Sequence, residues 1–211
     1  MKITKFGHSC LLIEQDGSRI LTDPGMFSEV PAGLKADVLI ITHSHPDHLD
    51  ETKIQDLVAA NPNLRIVTNS EVAALLPALA NRIELVEDGQ TIAAGQVSIK
   101  GFGQHHAEIH PSVPLIKNIC YLVAGRLWLP GDSLLQPPVP VEILALPVVA
   151  PWSKISETMD FLAAIKPKVC FPIHDGFLKF GGPFYSMSKA WADKIGTDFE
   201  ELQIGQPIDL G

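Results

Sequence analysis

The sequence predicts an α+β fold in which mixed β-sheets carry helices on their outer faces. Three observations predict it. Asp16-Gly17 lies between two apolar runs, a strong signal for an antiparallel hairpin. Val38-Leu39-Ile40-Ile41 and the run from Val169 to Ile173 are continuously apolar, as strands buried on both faces require. Segments with helical spacing fall between such runs, and strand-helix-strand units make parallel neighbours.

In chain order, strands are expected over Ile3–Phe6, Ser9–Gln15 and Ser18–Thr22, with the Asp16-Gly17 turn between the last two. The buried run within Asp37–Thr42 is the next strand. A helix follows from about Asp50 to Ala60, and Asn61-Pro62 stops it. Leu64–Thr68 is another buried strand, and Ser70 is expected to cap a helix ending near Pro77 to Ala80. Strands near Ile83–Val86 and Val97–Phe102 come next, with Asp88-Gly89 as a turn. A tight turn at Gly125 joins Ile119–Ala124 to Arg126–Leu129, and Ile143–Leu146 adds another strand. Met159, Phe161, Leu162 and Ile165 give Ser156–Lys166 helical spacing, ended by Pro167. After the strand Val169–Ile173, a helix from Ser186 and a short strand near Glu201–Ile204 complete the chain.

At 211 residues one domain, 1–211, is expected. With 46% hydrophobic and 19% charged residues, disorder is excluded. A net charge of -8 argues against nucleic acid and against an anionic membrane surface as partners. Cys10, Cys120 and Cys170 are sparse, odd in number and set in apolar runs, so they read as buried free thiols. The start, Met1-Lys2-Ile3-Thr4-Lys5, lacks a signal-peptide apolar stretch, and no segment approaches the roughly 20 apolar residues of a membrane span. A cytoplasmic protein acting on a small molecule is expected, with a homo-oligomer compatible.

The chemistry concentrates after the strand at Val38–Ile41, in Thr42-His43-Ser44-His45-Pro46-Asp47-His48. Neutral imidazoles and carboxylates are ligands for zinc, iron or manganese. His43 and His45 are two apart and project the same way from extended chain, whereas Asp47 and His48 follow the turn at Pro46 and can face a second metal. Further ligand-type side chains follow other strands: His105, His106 and His110 after Phe102, Asp132 in Pro130-Gly131-Asp132-Ser133, and His174 before Asp175-Gly176. One site assembled at one edge of the sheets is implied.

His43-x-His45-x-Asp47-His48, a later histidine, Gly131-Asp132-Ser133 and His174 together resemble the metallo-β-lactamase fold superfamily, from about Gly7 to Gly176. Gly7-His8-Ser9-Cys10-Leu11-Leu12-Ile13-Glu14 and Thr22-Asp23-Pro24-Gly25 are similar to the branch of ascorbate-6-phosphate lactonase and N-acyl-phosphatidylethanolamine phospholipase D. The resemblance implies a four-layer αβ/βα sandwich with two divalent metal ions, zinc as the default and manganese or iron as alternatives. Carried over, His43, His45 and His106 bind one metal, Asp47, His48 and His174 the second, and Asp132 bridges them. His106 is chosen over His105, and His110 is assigned to the pocket wall.

Around this set, Asp23 and Asp175 are candidates to accept from the ligands' outer ring nitrogens, or simply turn residues. His8 either lines the site or packs with a hydrogen bond, and Trp152 either walls the pocket or is a buried aromatic. Lys117, Lys154 and Lys179 are read as solvated surface cations rather than phosphate contacts. Ser9, Ser44 and Ser133 need no triad role, and Gly101-x-Gly103 is too little for a phosphate loop. Specificity is expected in the loops Pro24–Lys35, His105–Lys117 and Leu134–Glu142. The expected function is a metal-dependent hydrolase whose bridging hydroxide, held with Asp47 and Asp132, attacks an ester, lactone or phosphodiester. The alternative is a metal-binding or interaction module without turnover.

Overall fold

The computed structural model describes residues 1–211 as two seven-stranded mixed sheets with helices on both outer faces, the predicted architecture. The first sheet contains β1 (Lys2–Lys5), β2 (Leu11–Gln15), β3 (Ser18–Thr22), β4 (Val38–Ile40), β5 (Arg65–Thr68) and β6 (Ile83–Leu85). The second contains β7 (Thr91–Ala94), β8 (Val97–Phe102), β9 (Cys120–Val123), β10 (Leu127–Leu129), β11 (Ile143–Pro147), β12 (Val169–Ile173) and β13 (Asp198–Phe199). β14 (Pro207–Asp209) returns to the first sheet and pairs with β1. The orders are β14-β1-β2-β3-β4-β5-β6 and β13-β12-β11-β10-β9-β8-β7.

The two sheets repeat one plan. β14, β1, β2 and β3 are joined by antiparallel pairings, and β3 through β6 by parallel ones. Likewise β7 through β10 pair antiparallel and β10 through β13 parallel. Asp23 leaves β3 and Asp132 leaves β10, the strands at which each sheet changes from antiparallel to parallel.

Strand alternation builds three apolar layers. Ile3, Leu11, Ile13, Ile20 and Ile40 face Ile99, Tyr121, Val123, Ile143 and Phe171 between the sheets. Leu12, Leu21, Leu39 and Ile66 point the other way, against Ile54 and Leu57 of α1 (Glu51–Ala60) and Val72 of α2 (Ser70–Leu75). Cys120, Leu122, Trp128, Leu144 and Cys170 meet Phe161 and Leu162 of α3 (Ile155–Ile165) and Ala192 of α4 (Gly182–Ile195). Both faces of the central strands are therefore buried, which is why they read as unbroken apolar runs. The three cysteines are free and buried, and burial pushes all three thiols up, those of Cys120 and Cys170 to about 12, so none is a thiolate nucleophile.

Several boundaries move for local reasons. Asn69, not Ser70, caps α2, its Oδ1 accepting from the backbone N–H groups of Glu71 and Val72 at 2.9 and 3.0 Å. That helix stops at Leu75, and a 3₁₀ turn over Pro77–Arg82 follows, started by the proline. Asp50 caps α1 by accepting from Thr52 and Lys53. α4 begins at Gly182, earlier than Ser186, and is stopped after Ile195 by Gly196, which adopts φ 78°. Glu201–Ile204 is not a strand; the C-terminal strands are β13 and β14, each at a sheet edge whose free backbone groups it satisfies. No helix is long and apolar enough to cross a membrane.

Candidate metal centre

The loops after β3, β4, β8, β10 and β12 converge at one end of the sandwich. Backbone bonds tie the sheets together there: Ile119 donates to the Thr42 carbonyl at 3.1 Å, and His43 pairs as a β-bridge with Asn118. Two groups of ligand-type side chains result, His43, His45, His106 and Asp132 in one and His8, Asp47, His48 and His174 in the other. Within each group the potential ligand atoms lie within 4.8 Å of one another.

All seven residues expected at the site thus come together, and the division between His43/His45/His106 and Asp47/His48/His174 is the division in space. Asp132 lies between the groups. Its Oδ1 is 3.0 Å from His48 Nε2, and its Oδ2 is 2.9 Å from His174 Nε2 and 3.2 Å from His106 Nε2. His105 is exposed and in neither group. His110 is also exposed, its Nδ1 engaged with Ser112 at 2.7 Å, and it does not line the cleft.

The outer ring nitrogens decide which imidazoles can offer a lone pair inward. Nδ1 of His106 and of His174 faces backbone carbonyls, Ala107 at 2.5 Å and Val149 at 2.7 Å. A carbonyl only accepts, so both rings carry their hydrogen on Nδ1 and leave Nε2 open. His48 Nδ1 donates to Asp23 Oδ2 at 2.9 Å. Thr42 Oγ1 gives its hydrogen to Asp23 Oδ2, so it accepts from His43 Nδ1 at 3.0 Å. Four rings are therefore held with Nε2 aimed into the site. Asp23 takes the supporting role anticipated for it, and Thr42, unremarked in the sequence, links it to His43. Asp175 does not: it accepts from Lys5 Nζ at 2.5 Å and from Tyr185.

This arrangement fits divalent metal. Nε2 of His43 is buried with no hydrogen-bond partner, and Nε2 of His48 and Oδ1 of Asp132, though 3.0 Å apart, are buried without a well-formed bond, a costly condition unless a cation satisfies them. The carboxylates sit among imidazoles. Burial pushes Asp132 up, but His48, His43 and His174 outweigh it and hold the carboxyl well below its ordinary range. Asp47 behaves likewise, burial being outweighed by His8 and His48. Burial, and then neighbouring His48, holds His43 well below its ordinary value, whereas at His48 burial is outweighed by Asp132 and Asp23, which hold it well above its own, so a metal bound at His48 would displace a proton there.

A cleft of about 350 Å³ opens onto the site. His45, Asp47, His106, Asp132 and His174 form its floor, and Ile109, Pro151, Trp152 and Phe177 its walls. Trp152 is both wall and buried aromatic, its indole N–H donating to Asp132 Oδ2 at 2.8 Å. Of the expected specificity loops only His105–Lys117 reaches this cleft, through His106 and Ile109; Pro151 adjoins Trp152, already a candidate wall, and Phe177 comes from a segment not singled out in the sequence. Gly131 and Gly25 allow the close packing beneath. A Cβ on Gly131, at φ 58°, would stand 2.3 Å from Asn118 Oδ1, and one on Gly25 would overlap the Asp47 carbonyl.

Residues 2–174 match the family model described as Beta-lactamase superfamily domain. Protein Rv0786c of Mycobacterium tuberculosis is 40% identical over 184 residues, covering 84% of this chain and 85% of that protein. A UPF0173 metal-dependent hydrolase of Carboxydothermus hydrogenoformans is 26% identical over 193 residues, covering 82% and 84%. The structure of Igni18, a metallo hydrolase from Ignicoccus hospitalis, superposes with a TM-score of 0.77 at 16% identity, over 98% of this chain and 97% of that one.

Proposed function

The chain belongs to the β-lactamase superfamily domain family, and from that premise we propose that it is a single-domain, metal-dependent hydrolase with a dinuclear site acting on an uncharged ester or lactone. The observation that carries the reading is the inward set of open Nε2 atoms around Asp132, each ring anchored from behind. The name of the Carboxydothermus relative supports hydrolysis.

His43, His45 and His106 would hold one divalent ion, Asp47, His48 and His174 the other, with Asp132 shared. The imidazole-rich donor set suits zinc, and manganese or iron accept the same ligands. When bound, such a pair lowers the pKa of water and stabilises developing negative charge as a Lewis acid. The protein's own contribution is position. Asp23 and the carbonyls of Ala107 and Val149 fix ring orientation, and Trp152 holds Asp132 Oδ2. Asp47, whose side chain is 21% exposed against 3% for Asp132, is the carboxylate that can receive a hydrogen bond from attacking water or leaving group.

The substrate class follows from the walls. Ile109, Pro151, Trp152 and Phe177 are apolar, and no lysine or arginine lines the cleft. Lys117 is turned to Ser70 and Glu87, and Lys154 and Lys179 are exposed and outside the cleft lining. An anionic phosphodiester would find no protein cation, whereas an ester or lactone with an apolar substituent would bury it. The likeness of Gly7–Glu14 and Thr22–Gly25 to the lactonase and phospholipase D branch is compatible with both lactone and phosphodiester hydrolysis, so the walls of the cleft carry the choice. The test is a panel of p-nitrophenyl esters of increasing chain length, aliphatic lactones and bis-p-nitrophenyl phosphate, each with zinc and with chelator. Chelator-sensitive turnover favouring longer neutral esters or lactones is expected. Preference for the phosphodiester overturns the substrate class, and no metal-dependent turnover on any of them favours a binding module.

A further inference from the structure

His8 belongs spatially to the second group and turns Nε2 toward it as the other histidines do, yet the partner behind its ring is a donor where theirs are acceptors. Its Nδ1 lies 3.0 Å from the backbone N–H of Gly176, which donates to it. A backbone amide nitrogen always carries its hydrogen, so this contact fixes the tautomer in a way a hydroxyl or side-chain amide could not. Nδ1 must present a lone pair, and the neutral ring's hydrogen is then on Nε2. That nitrogen is buried, 3.2 Å from Asp47 Oδ2, without a straight hydrogen bond in this geometry. A ring coordinating metal through Nε2 would carry hydrogen on Nδ1, aimed at the hydrogen of Gly176. His43, His48, His106 and His174 show the ligand arrangement; His8 shows its inverse.

We propose that His8 is not a fourth ligand of the second group but a positioning residue whose Nε2–H holds one oxygen of Asp47, leaving the other oxygen for the metal. The proposal rests on the two-ion reading for the role of Asp47, though the tautomer does not. The backbone supports it. His8 sits at φ 49° after Gly7 at φ 101°, a left-handed pair that turns the ring back under Gly176. Gly176 is part of the same fit, since a Cβ there would meet His8 Cβ at 2.9 Å and Nδ1 at 3.2 Å. The ring is wedged between His174, with centroids 4.3 Å apart, and Phe27, at 5.5 Å, so it cannot turn over without moving both. Asp47 follows the turn at Pro46 and has fewer fixed partners than Asp132, so an external donor would govern which oxygen faces the site.

The experiment uses the full-length, uniformly ¹⁵N-labelled protein. Long-range ¹H–¹⁵N spectra of the ring nitrogens are recorded metal-free and after saturation with Zn²⁺, with total zinc measured on the same sample. The expected result is His8 as the Nε2–H tautomer in both states, while the His48 and His174 Nε2 resonances shift on zinc addition. A His8 ring that carries its hydrogen on Nδ1, or whose Nε2 shifts as theirs do, overturns the proposal. Failure of the protein to take up zinc would instead count against the two-ion reading, leaving the metal-free tautomer to decide for His8. His8→Ala and His8→Gln supply the second readout. Both place a non-glycine residue at the same φ, so backbone strain cancels between them. His8→Ala should weaken the second zinc by about 10–100-fold, the usual effect of losing a ligand's supporting hydrogen bond. His8→Gln, whose amide can still donate to Asp47, should recover most of that affinity. Equal loss in both variants would overturn the positioning role.

Discussion

The carboxylate of Asp23 stands 2.9 Å from Nδ1 of His48 and fixes which edge of that imidazole looks into the site. The same carboxylate accepts from the Thr42 backbone N–H at 2.8 Å and from Thr42 Oγ1 at 2.9 Å. It therefore steadies rings of both ligand groups, His48 directly and His43 through Thr42. Replacing Asp23 by Asn would turn an amide group with its own hydrogens toward donors. Asp23→Asn should lower zinc affinity by about 10–100-fold, read by competition with a chromogenic chelator, while circular dichroism stays native. Unchanged affinity would show that packing alone sets the His48 ring.

Gly131 makes a separate, structural prediction. Its φ of 58° and the 2.3 Å approach of a built Cβ to Asn118 Oδ1 leave no room for a side chain. Asn118 in turn accepts from the Asp132 backbone N–H at 3.0 Å and donates to the Pro130 carbonyl at 2.9 Å. Gly131→Ala should cost about 2 kcal/mol or more from backbone strain and overlap, lowering Tm by roughly 4–8 °C at this size. Gly125, with open space around its Cβ, provides the comparison: it has φ 65° but no clash, so Gly125→Ala should cost only the backbone part, about 1 kcal/mol. Equal effects of the two would remove the packing argument.

The sequence displayed this site because its donors cluster in chain order. His43, His45, Asp47 and His48 sit within one turn after a buried strand, and Asp132 and His174 each follow an apolar run that reads as a strand. What it concealed depends on distance in the chain. Nothing local marks Gly176 as the donor to His8, 168 positions away, or Lys5 as the partner of Asp175, 170 away. β7 is not legible in the sequence because Thr91-Ile92-Ala93-Ala94 lies at the edge of its sheet, half-exposed, without the double-sided burial that betrays central strands. The positions of the terminal strands are hidden for a related reason. β14 exists because β1 offers a free edge, a fact of the sheet rather than of residues 207–209. The repeated plan of the two sheets is likewise a matter of pairing, with no periodic motif to announce it.

Metal should contribute to folding stability as well as to chemistry. The buried Nε2 atoms of His43 and His48 and Oδ1 of Asp132, none of them in a well-formed hydrogen bond, cost free energy that a bound cation would offset. Ligand held at about 100 times its Kd stabilises by about 2.7 kcal/mol, which corresponds to roughly 5–10 °C in Tm for a chain of this size. Stripping with chelator should lower Tm by that amount, and zinc should restore it in calorimetry. An identical Tm in both states would count against tight binding at these groups.

His105 and His106 offer a comparison between neighbours. His106 is buried, its Nδ1 2.5 Å from the Ala107 carbonyl, and its Nε2 lies beside Asp132; His105 is exposed, its backbone bridged to Lys117. His106→Ala should lose one zinc equivalent and chelator-sensitive turnover, and His105→Ala should keep both, by elemental analysis of matched preparations. Loss confined to His105→Ala would require the loop to rearrange when metal binds.

Asp132→Asn tests the centre of the scheme. Asp132 is the residue on which both groups converge: His48 on Oδ1, and His106, His174 and Trp152 on Oδ2. Asparagine keeps the volume and can still accept from Trp152 through its single oxygen. It removes one negative charge and sets an NH₂ group against an open imidazole nitrogen or a cation. Repulsion between two divalent ions would then be less screened, so at least one should bind more weakly. Turnover should fall by about 10³-fold or more, because positioning and generation of the nucleophile fail together. Folding should suffer less. The site lies at the ends of β10 and β12, outside the apolar layers around Tyr121 and Trp128, and the Asp132 backbone N–H keeps its bond to Asn118. Circular dichroism and thermal melting of the metal-free forms should therefore nearly coincide with the parent, while zinc content and rate diverge. Near-parent turnover with two zinc ions bound would mean that Asp132 is not shared between them, and that the groups around His43 and His48 act as separate sites.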